Sequence, residues 1–531
     1  MAKPQILILG AGIMQGPAIR AAQEMGFEVT AADADPSAPC VSLASRFAQV
    51  DLKDRKGIEA LARSLMEDGG LSGIMTAGTD FPATVAWAAQ QLNLPGIPYE
   101  TALNASDKDR MRHCFKKAGL PSPDFAVITK PEWDAELFPP FPLVLKPVDN
   151  MGARGCRRVD TKEEFVAAAK DALAFSRSGR AIVEEYMEGP EFSIDALVYQ
   201  GEITMCGIAD RHIFFPPYFI EMGHTMPSNE DPAHIRALLE TFSQGVKALG
   251  IDNGAAKGDI KLTKRGPMIG EIAARLSGGY MSGWTYPYSS GVMPVRGAIE
   301  IAVGRKPSKL THEWSQTAAE RAFISIPGIV SSIVGVENAR IMPHVRDVFV
   351  SAKAGKAVNF PENNVMKCGN VISVAERRED AVLSAKRASR SILIRLQAPN
   401  EASEAFLAVN EDAQHGSFPP PAFPLDEKLV SALNALEPDS IQRGTNTGKS
   451  PVLLDFPQLC ESELTDYMGR SVGECLDAVR LLSGFELPLV KPGTAFEDNP
   501  VLGRQFWQAF VRGGYQGAVY FIDCLVGGNH G

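Results

Sequence analysis

Nothing in this sequence of 531 residues pairs its cysteines. The eight of them, Cys40, Cys114, Cys156, Cys206, Cys368, Cys460, Cys475 and Cys524, are scattered, with no Cys-x-x-Cys and no neighbouring histidine pair. Neither a disulfide framework nor a zinc site is signalled. Apolar runs are short as well, and none reaches the ~18 residues that a membrane span needs. The opening MAKPQILILGAG has one lysine and an apolar run too short for a signal sequence, and it flows into a strand-and-turn pattern. The expectation is a cytoplasmic protein with no membrane partner. Long basic runs are missing too, and 53 Lys and Arg against 63 Asp and Glu leave a net charge of −10. That balance argues against a nucleic-acid surface while remaining compatible with a local phosphate site. No internal repeat recurs at a fixed period.

What is present reads as several α/β units. The chain is too long for one core and suggests three or four domains, and 45% hydrophobic with 22% charged residues is an ordinary soluble balance. Residues 5–10 (QILILG) read as a buried strand, followed by a turn and helix ending at Gly26 and by a second strand, FEVTAADAD. This β-α-β opening predicts a doubly wound sheet, continued by GIMTAGTD at 73–80 and a helix over 82–93. Gly10, Gly12 and Asp33 invite a dinucleotide fingerprint, but the third glycine falls at Gly16, with Gln15 where the motif requires glycine. The match is weak.

Ser106 is the expected N-cap of a helix over 106–120 that Gly119 closes. Thr161, with Glu164 three residues on, predicts a capping box for a helix over 161–176. AIVEEYMEG reads as a strand entering a turn, and EFSIDALVYQGEITMCGIADR as a hairpin turning at Gly201. An amphipathic helix over 233–250 ends at Gly250, and GDIKL with MIGEIAAR forms a second hairpin turning between Thr263 and Pro267. Beyond Lys309 come short strands such as RAFISIPG, a helix over 377–390 and ILIRL. NEDAQHGSFPPPAFP at 410–424 reads as a linker. The rest is mixed, with helices near 426–436 and 471–483 and a strand at GAVYFIDCLV.

The chemistry starts between Pro142 and Arg158. An apolar run, Leu143 to Leu145, delivers Lys146, and after Pro147 comes a loop in which Gly152 and Gly155 flank Arg154. A lysine leaving a strand end is a compact charge suited to phosphate oxygens, and glycines let backbone N–H groups approach those oxygens. Asp259 and Glu271 lie twelve residues apart on the paired strands of one hairpin, so both can face one cavity and hold a hard cation, for which magnesium fits best. Singly, each residue has an ordinary reading: a solvated lysine, an exposed acidic pair, a cross-strand partner of Lys261, a turn. In order, Lys108, Lys146 with its loop, the strand end from Glu184 to Met187, Asp259 and Glu271 form the kit of phosphoryl transfer, where positioning and charge neutralisation carry catalysis.

In the segments SDKDRM, PLVLKPVDNMGARG, IVEEYMEGPEFSID and GDIKL with GEIAARLSGG, the chain resembles the ATP-grasp superfamily of ligases, over roughly residues 5–398. The resemblance implies an α/β and α+β multidomain protein. Its parts would be a Rossmann-like domain over 1–105, a two-lobed ATP-grasp domain over 106–310 and a small α+β closing domain over 311–398. A linker over 399–424 and a C-terminal region over 425–531 would follow. It also implies ATP and magnesium, with manganese as an acceptable substitute, and a reaction in which an acyl phosphate made from a carboxylate is displaced by an amine.

Lys108 and Lys146 would contact the ATP phosphates beside the loop of Gly152, Arg154 and Gly155. The backbone from Glu184 through Glu185 and Tyr186 to Met187 would bind the adenine edge, and Glu191 the ribose hydroxyls. Asp259 and Glu271 would be the metal ligands. Arg275 would stabilise charge on the acyl phosphate or hold the substrate carboxylate, with backbone donors left open nearby by Gly278 and Gly279. Many members place an asparagine two residues after the second acidic ligand, whereas this chain has Ala273, so one ligand is missing or replaced by water.

The EIAARLSGG form, and FIEMGHTMP at 219–227, resemble the branch of carboxylate–amine ligases that join amino acids. The expected partners are then small-molecule carboxylate and amine substrates, and related folds are often homodimers. Neighbouring expectations are a biotin-carboxylase-like or purine-pathway ligase, although no biotin-attachment sequence such as MKM is present. From a different class comes a non-catalytic nucleotide-binding regulatory or assembly protein. His212 and His224 flank the aromatic and proline-rich stretch Phe214 to Phe219, and Glu221 with His224 is expected to line the acceptor or carboxylate pocket. RGTNTGKS at 443–450 is one residue short of a P-loop and follows no apolar strand, so it reads as a loop.

Overall fold

The computed structural model describes residues 3–134, 136–408, 418–440, 449–491, 493 and 499–526. The linker read at 410–424 and the loop at 443–450 therefore lie largely outside the described residues. Two compact units divide the chain: one runs to Glu320 and includes Ile372–Val382, and the other holds Arg321–Val371 and Leu383 onward.

In the first unit, β1 (Gln5–Leu9), β2 (Glu28–Asp33), β3 (Arg46–Gln49) and β4 (Leu71–Thr76) form a parallel sheet in the order β3-β2-β1-β4. QILIL is apolar on both faces because both are covered. Ile6 and Ile8 pack on Ala18, Ile19 and Ala22 of α1 (Gly16–Glu24), while Leu7 and Leu9 meet Ile58 and Ala62 of α2 (Arg55–Glu67) and Ala88 of α3 (Pro82–Gln91). The glycine loop after β1 is filled by the chain's own groups. Gln15 accepts the Gly12 N–H at 2.9 Å and donates to the Ala77 carbonyl, and Asp33 accepts the Ala11 N–H at 2.8 Å. Donors that would face a pyrophosphate are consumed internally.

After α4 (Tyr99–Asn104), α5 spans Lys108–Lys117. Its N-cap is Asp107, not the expected Ser106. The Asp107 carboxylate accepts the Arg110 N–H at 3.1 Å, and the Ser106 hydroxyl turns back to the Ala102 carbonyl at 2.7 Å. A carboxylate caps the first turn and also neutralises the positive end of the helix. A small lobe follows, in which β5 (Phe125–Ile128), β6 (Leu143–Pro147), β7 (Arg157–Val159) and β8 (Ala181–Glu185) form an antiparallel sheet ordered β5-β8-β6-β7. Phe165, Ala168 and Ala172 of α6 (Lys162–Phe175) cover Leu143, Leu145 and Val183. Thr161 caps α6 as expected, but the Glu164 carboxylate takes the Asp160 N–H at 2.8 Å, one residue before the cap.

β9 (Glu191–Tyr199), β10 (Glu202–Phe214), β11 (Ile220–Met226), β12 (Gly254–Thr263) and β13 (Gly266–Ala273) are consecutive strands of a second antiparallel sheet, in the order β13-β12-β9-β10-β11. The β9–β10 hairpin turns on Gln200 (φ 52°) and Gly201 (φ 78°), the left-handed pair that a two-residue turn demands. Because strand side chains alternate, Phe192, Ile194, Ile260 and Ile272 face α5 and α7 (Pro232–Leu249), packing on Met111, Phe115, Phe242 and Val246. The opposite face is left to the charged residues of the same strands.

In the second unit the ILIRL segment is a strand, Leu393–Leu396, paired to Gly328–Val334. Phe423, Leu433, Phe456, Leu476, Val479, Trp507 and Phe510 share one core. The expected strand at GAVYFIDCLV is instead the last part of a helix, Arg504–Val526, kinked at Gly514 (φ 61°, ψ −149°). Ala518, Val519, Ile522 and Leu525 are buried, while Phe521 and Cys524 are only partly so, and so nearly continuous an apolar run carries no clear period that separates helix from strand.

One corner sets the angle between β8 and β9. Gly189 has φ 138°, and a Cβ there would collide with the Leu262 carbonyl oxygen. Gly189→Ala is therefore expected to destabilise the first unit by about 2 kcal/mol or more. A thermal midpoint within one degree of the parent would refute this.

Candidate active site

The polar face of the second sheet is built by period-two alternation. Glu191, Ser193 and Asp195 on β9 stand opposite Lys261, Asp259 and Lys257 on β12, and Asp259 stands opposite Glu271 on β13. A bulge follows at once, since Ile260 pairs with Ile269 and leaves Gly270 as the extra residue. Such a bulge re-aims the side chain beside it. A Cβ on Gly270 would lie 2.9 Å from the Asp259 carbonyl oxygen, so glycine is what lets the two strands close there. The two expected metal ligands are thus brought together directly.

Glu184, at the end of β8, is 2% exposed. Its carboxylate is gripped by Lys146 of β6 at 2.6 Å and by Arg112 of α5 at 2.7 Å. Burial pushes the Glu184 carboxyl up, but Arg112 and Lys146 together hold it below the ordinary range. Arg112, 0% exposed, also donates to the Gly270 carbonyl at 2.5 Å. Arg112 belongs to none of the motifs read from the sequence. The signal was there: Lys108, Met111, Arg112 and Phe115 form an i, i+3, i+4, i+7 stripe, and a charge on a buried stripe needs a partner.

Lys108 donates to the Asn150 carbonyl at 2.8 Å and lies 3.6 Å from Glu271. Asp259 accepts from Ser193 at 2.9 Å, from Lys257, and from Arg211 at 3.1 Å. Burial raises both carboxyls, and the surrounding cations, Lys108, Lys146 and Lys257 for Glu271 and Arg211 and Lys257 for Asp259, return them below their ordinary values. Two ionised carboxylates on one face suit magnesium, which commonly takes one or two carboxylates and completes its shell with phosphates and water. Among the described residues no group of three or more His, Cys, Asp or Glu could hold a metal by itself. Ala273 lies opposite Lys257 and adds no ligand.

Around the expected nucleotide, Gly152 (φ 69°) and Gly155 (φ 65°) give the loop its left-handed turns. Arg154 turns away to Asp80 at 3.3 Å and Asn150 at 3.0 Å. At the strand end the Glu185 and Tyr186 N–H groups are already used by Asp124 and Pro142 carbonyls, at 2.9 and 3.0 Å. Lys261 donates to the Met187 carbonyl at 3.1 Å, and Arg158 and Lys261 lie 4.6 and 5.0 Å from the Tyr186 ring centre. Glu185 pairs with Arg265, and Glu191 with Arg211.

At the other end, Arg211 reaches Glu221 at 2.6 Å, and His224 lies between Glu221 at 3.4 Å and Glu320 at 3.1 Å. Burial alone would lower the His224 value, but Glu221 and Glu320 raise it to about 8. Gly279 (φ 60°) closes over this pair, where a Cβ would stand 2.9 Å from Glu221 Oε1 and 3.1 Å from His224 Cε1. Gly278 abuts Gly78, and the Gly78 N–H donates to the Leu276 carbonyl at 3.3 Å. Arg275 donates to the Leu276 carbonyl at 3.0 Å and lines an apolar cavity with Ile74, Val85, Ile97 and Ile301. Asp195 accepts from the Ser277 hydroxyl at 2.6 Å and from its N–H at 3.2 Å, and burial lifts its carboxyl to about 6 against those bonds.

Two antiparallel sheets, the smaller carrying Lys146 and the larger the paired Asp259 and Glu271, with Lys108 on α5 reaching Glu271, form a two-lobed arrangement. Residues 139–283 match the ATP-grasp domain, and residues 322–397 match L-amino acid ligase C-terminal domain 2. The chain therefore carries a segment similar to the ATP-grasp domain, followed by one similar to a C-terminal domain of L-amino acid ligases. It is 30% identical over 234 residues to alanine–anticapsin ligase of Bacillus subtilis (strain 168), which is 39% of this chain and 49% of that one. It is 24% identical over 332 residues to carnosine synthase 1 of Homo sapiens, 57% of this chain and 40% of that one. The chain thus spans less than half the length of either enzyme. Among solved structures, L-amino acid ligase from Bacillus licheniformis superposes with a TM-score of 0.66 at 22% identity, covering 75% of this chain and all of that one. Phosphoribosylglycinamide synthetase from Anaerococcus prevotii gives 0.59 at 20%, covering 75% of this chain and 100% of that one. At these identities the structures speak for the fold alone.

The His224 cluster makes a pH prediction. Its folded value, about 8, stands above the ordinary 6.5, so its stabilisation is complete below pH 6.5 and is lost as pH rises through about 8. The thermal midpoint of the parent should fall more steeply between pH 6.5 and 8.5 than that of His224→Gln. Parallel curves would show that His224 does not titrate in this window.

Proposed function

We propose that the chain is an ATP- and magnesium-dependent carboxylate–amine ligase that joins small molecules of the amino-acid class, releasing ADP and phosphate. The observation that carries this reading is the direct opposition of Asp259 and Glu271 beside the buried Lys146–Glu184–Arg112 group. The domain divisions expected from the sequence, at 105, 310 and 398, belong to the same reading. The likeness to alanine–anticapsin ligase and carnosine synthase 1 supports it as well.

In this reading Lys108 and Lys146 neutralise the ATP phosphates, and Asp259 with Glu271 holds the magnesium. Bound there, the metal would supply charge neutralisation to the phosphates. The terminal phosphate of ATP transfers to the substrate carboxylate, and ADP leaves. The amine then displaces phosphate from that acyl phosphate. The Ser277–Gly279 segment, Glu221 and His224 hold the carboxylate and amine substrates at the far end of the face. Arg275 enters through the carboxylate, held by its guanidinium at the edge of the apolar cavity. Glu184 through Met187 and Glu191 frame the adenosine.

Purified chain with magnesium and ATP, screened over carboxylates each paired with amino acids and other amines, should release ADP only when one acid and one amine are both present. ATP binding without ADP from any pair would favour the regulatory alternative instead. With an active pair found, Lys146→Ala should lower turnover by about 10²–10³, and near-parental turnover would remove the phosphate role from Lys146.

A further inference from the structure

Lys257 holds the carboxylate that the metal needs. It projects from β12 two residues before Asp259 and on the same face, and its ammonium is hydrogen-bonded to Asp259 Oδ2. That oxygen also receives Arg211 at 3.1 Å, while Oδ1 receives Ser193 at 2.9 Å. Three of the roughly four lone-pair sites of Asp259 are thus taken by donors of its own chain, both of those on Oδ2 among them. A divalent cation on Oδ2 must displace one of these donors, and anywhere on the carboxylate it would face the Lys257 ammonium as a like charge. Arg211 is anchored by Glu191 and Glu221 as well, so it keeps partners wherever Asp259 turns. Lys257 is the group that has to move.

Directly opposite Lys257, across the β9–β12 pairing, stands Asp195. Opposed residues on one face lie roughly 4.5–5.5 Å apart at Cβ, well inside the reach of a lysine stem. Asp195 is 1% exposed, and its two bonds from Ser277 both fall on Oδ2. Oδ1 is buried with no hydrogen-bond partner. A carboxylate oxygen left without a donor in the interior is costly, and the strand paired with it carries the Lys257 ammonium at the opposite position.

We propose that Asp195 is the second berth of Lys257: when a divalent cation occupies the Asp259–Glu271 pair, the ammonium leaves Asp259 and crosses to Asp195 Oδ1. Asp195 is then a positioning residue for metal loading, and because it also holds Ser277 it ties that loading to the segment proposed for substrate. The inference rests on the reading above only for the metal at the carboxylate pair.

The test is a double-mutant cycle on metal affinity, without turnover. Manganese is titrated into the full chain with a saturating β,γ-imido analogue of ATP, and the free ion is followed by electron paramagnetic resonance. Asp195→Asn keeps an acceptor for Ser277 but removes the charge, and it should weaken manganese about tenfold or more, as loss of an outer-sphere partner does. Lys257→Met should bind manganese more tightly than the parent. In the Lys257→Met background, Asp195→Asn should change affinity by less than about twofold, because the group it serves is gone. Equal weakening in both backgrounds would overturn the proposal, since Asp195 would then act through Ser277 or the fold. Parental affinity in Asp195→Asn, weaker binding in Lys257→Met, or no saturable manganese in the parent would overturn it equally. Should Asp195→Asn fail to fold, Lys257→Met alone decides. A chain that obeys this cycle yet never releases ADP would refute the ligase reading and leave the berth standing.

Discussion

The carboxylate of Glu184 is the group on which the rest of the site depends. A lone charge at that depth would be prohibitive, and it is tolerated because Arg112 and Lys146 approach it from two different elements. Removing one partner of such a buried group leaves an uncompensated charge and costs about 3–5 kcal/mol. Its value is therefore geometric before it is energetic. It fixes β6 of the small lobe against α5, and Arg112 extends the same tie to the Gly270 carbonyl. Gly270 is the bulge that aims Glu271 at Asp259. One ionic cluster thus relates the lysine, the loop and both carboxylates.

Around that cluster the face is neutralised by its own side chains. Lys108 leans on Glu271, Lys257 and Arg211 on Asp259, Lys261 and Arg211 on Glu191. In the proposed reading a nucleotide would bring several negative charges and a metal two positive ones, so binding both would be an exchange of partners inside a preformed frame. Such an exchange avoids the reorganisation that water would require, which is where preorganised sites gain over solution. The acidic overall balance of the chain is compatible with an anionic ligand for this reason: the cations that matter are few and aimed.

Much of this was legible in the sequence, for identifiable reasons. The β-α-β opening, the Gly201 turn and the Thr263–Pro267 hairpin follow from backbone demands that only certain residues meet. The opposition of Asp259 and Glu271 follows from hairpin register. What escaped was the set of partners. Arg112, Asp195, Lys257, Arg211 and Glu320 come from different elements, and a charge on a strand reads the same whether solvent or another strand faces it. Ser106 lost the capping role to Asp107 because a charged acceptor suits a helix start better. The C-terminal helix escaped for the opposite reason, since GAVYFIDCLV is apolar almost throughout and its β-rich composition outweighed a missing period.

The doubly wound opening shows how far fold and site can part. In such sheets ligands usually bind beyond the carboxyl ends of the strands, and the glycine loop after β1 is where a dinucleotide would sit. Here Gln15 and Asp33 occupy that loop, and the end of β4 receives the chain itself, through the Ala77–Leu276 bridge and the Gly78 N–H. Leu276 immediately precedes Ser277, which Asp195 anchors. The crevice at the carboxyl ends of this sheet is thus filled by the chain's own groups and buttresses the segment that begins at Leu276. Shape alone therefore does not say what binds there, and function has to be argued from the donors and acceptors present, residue by residue.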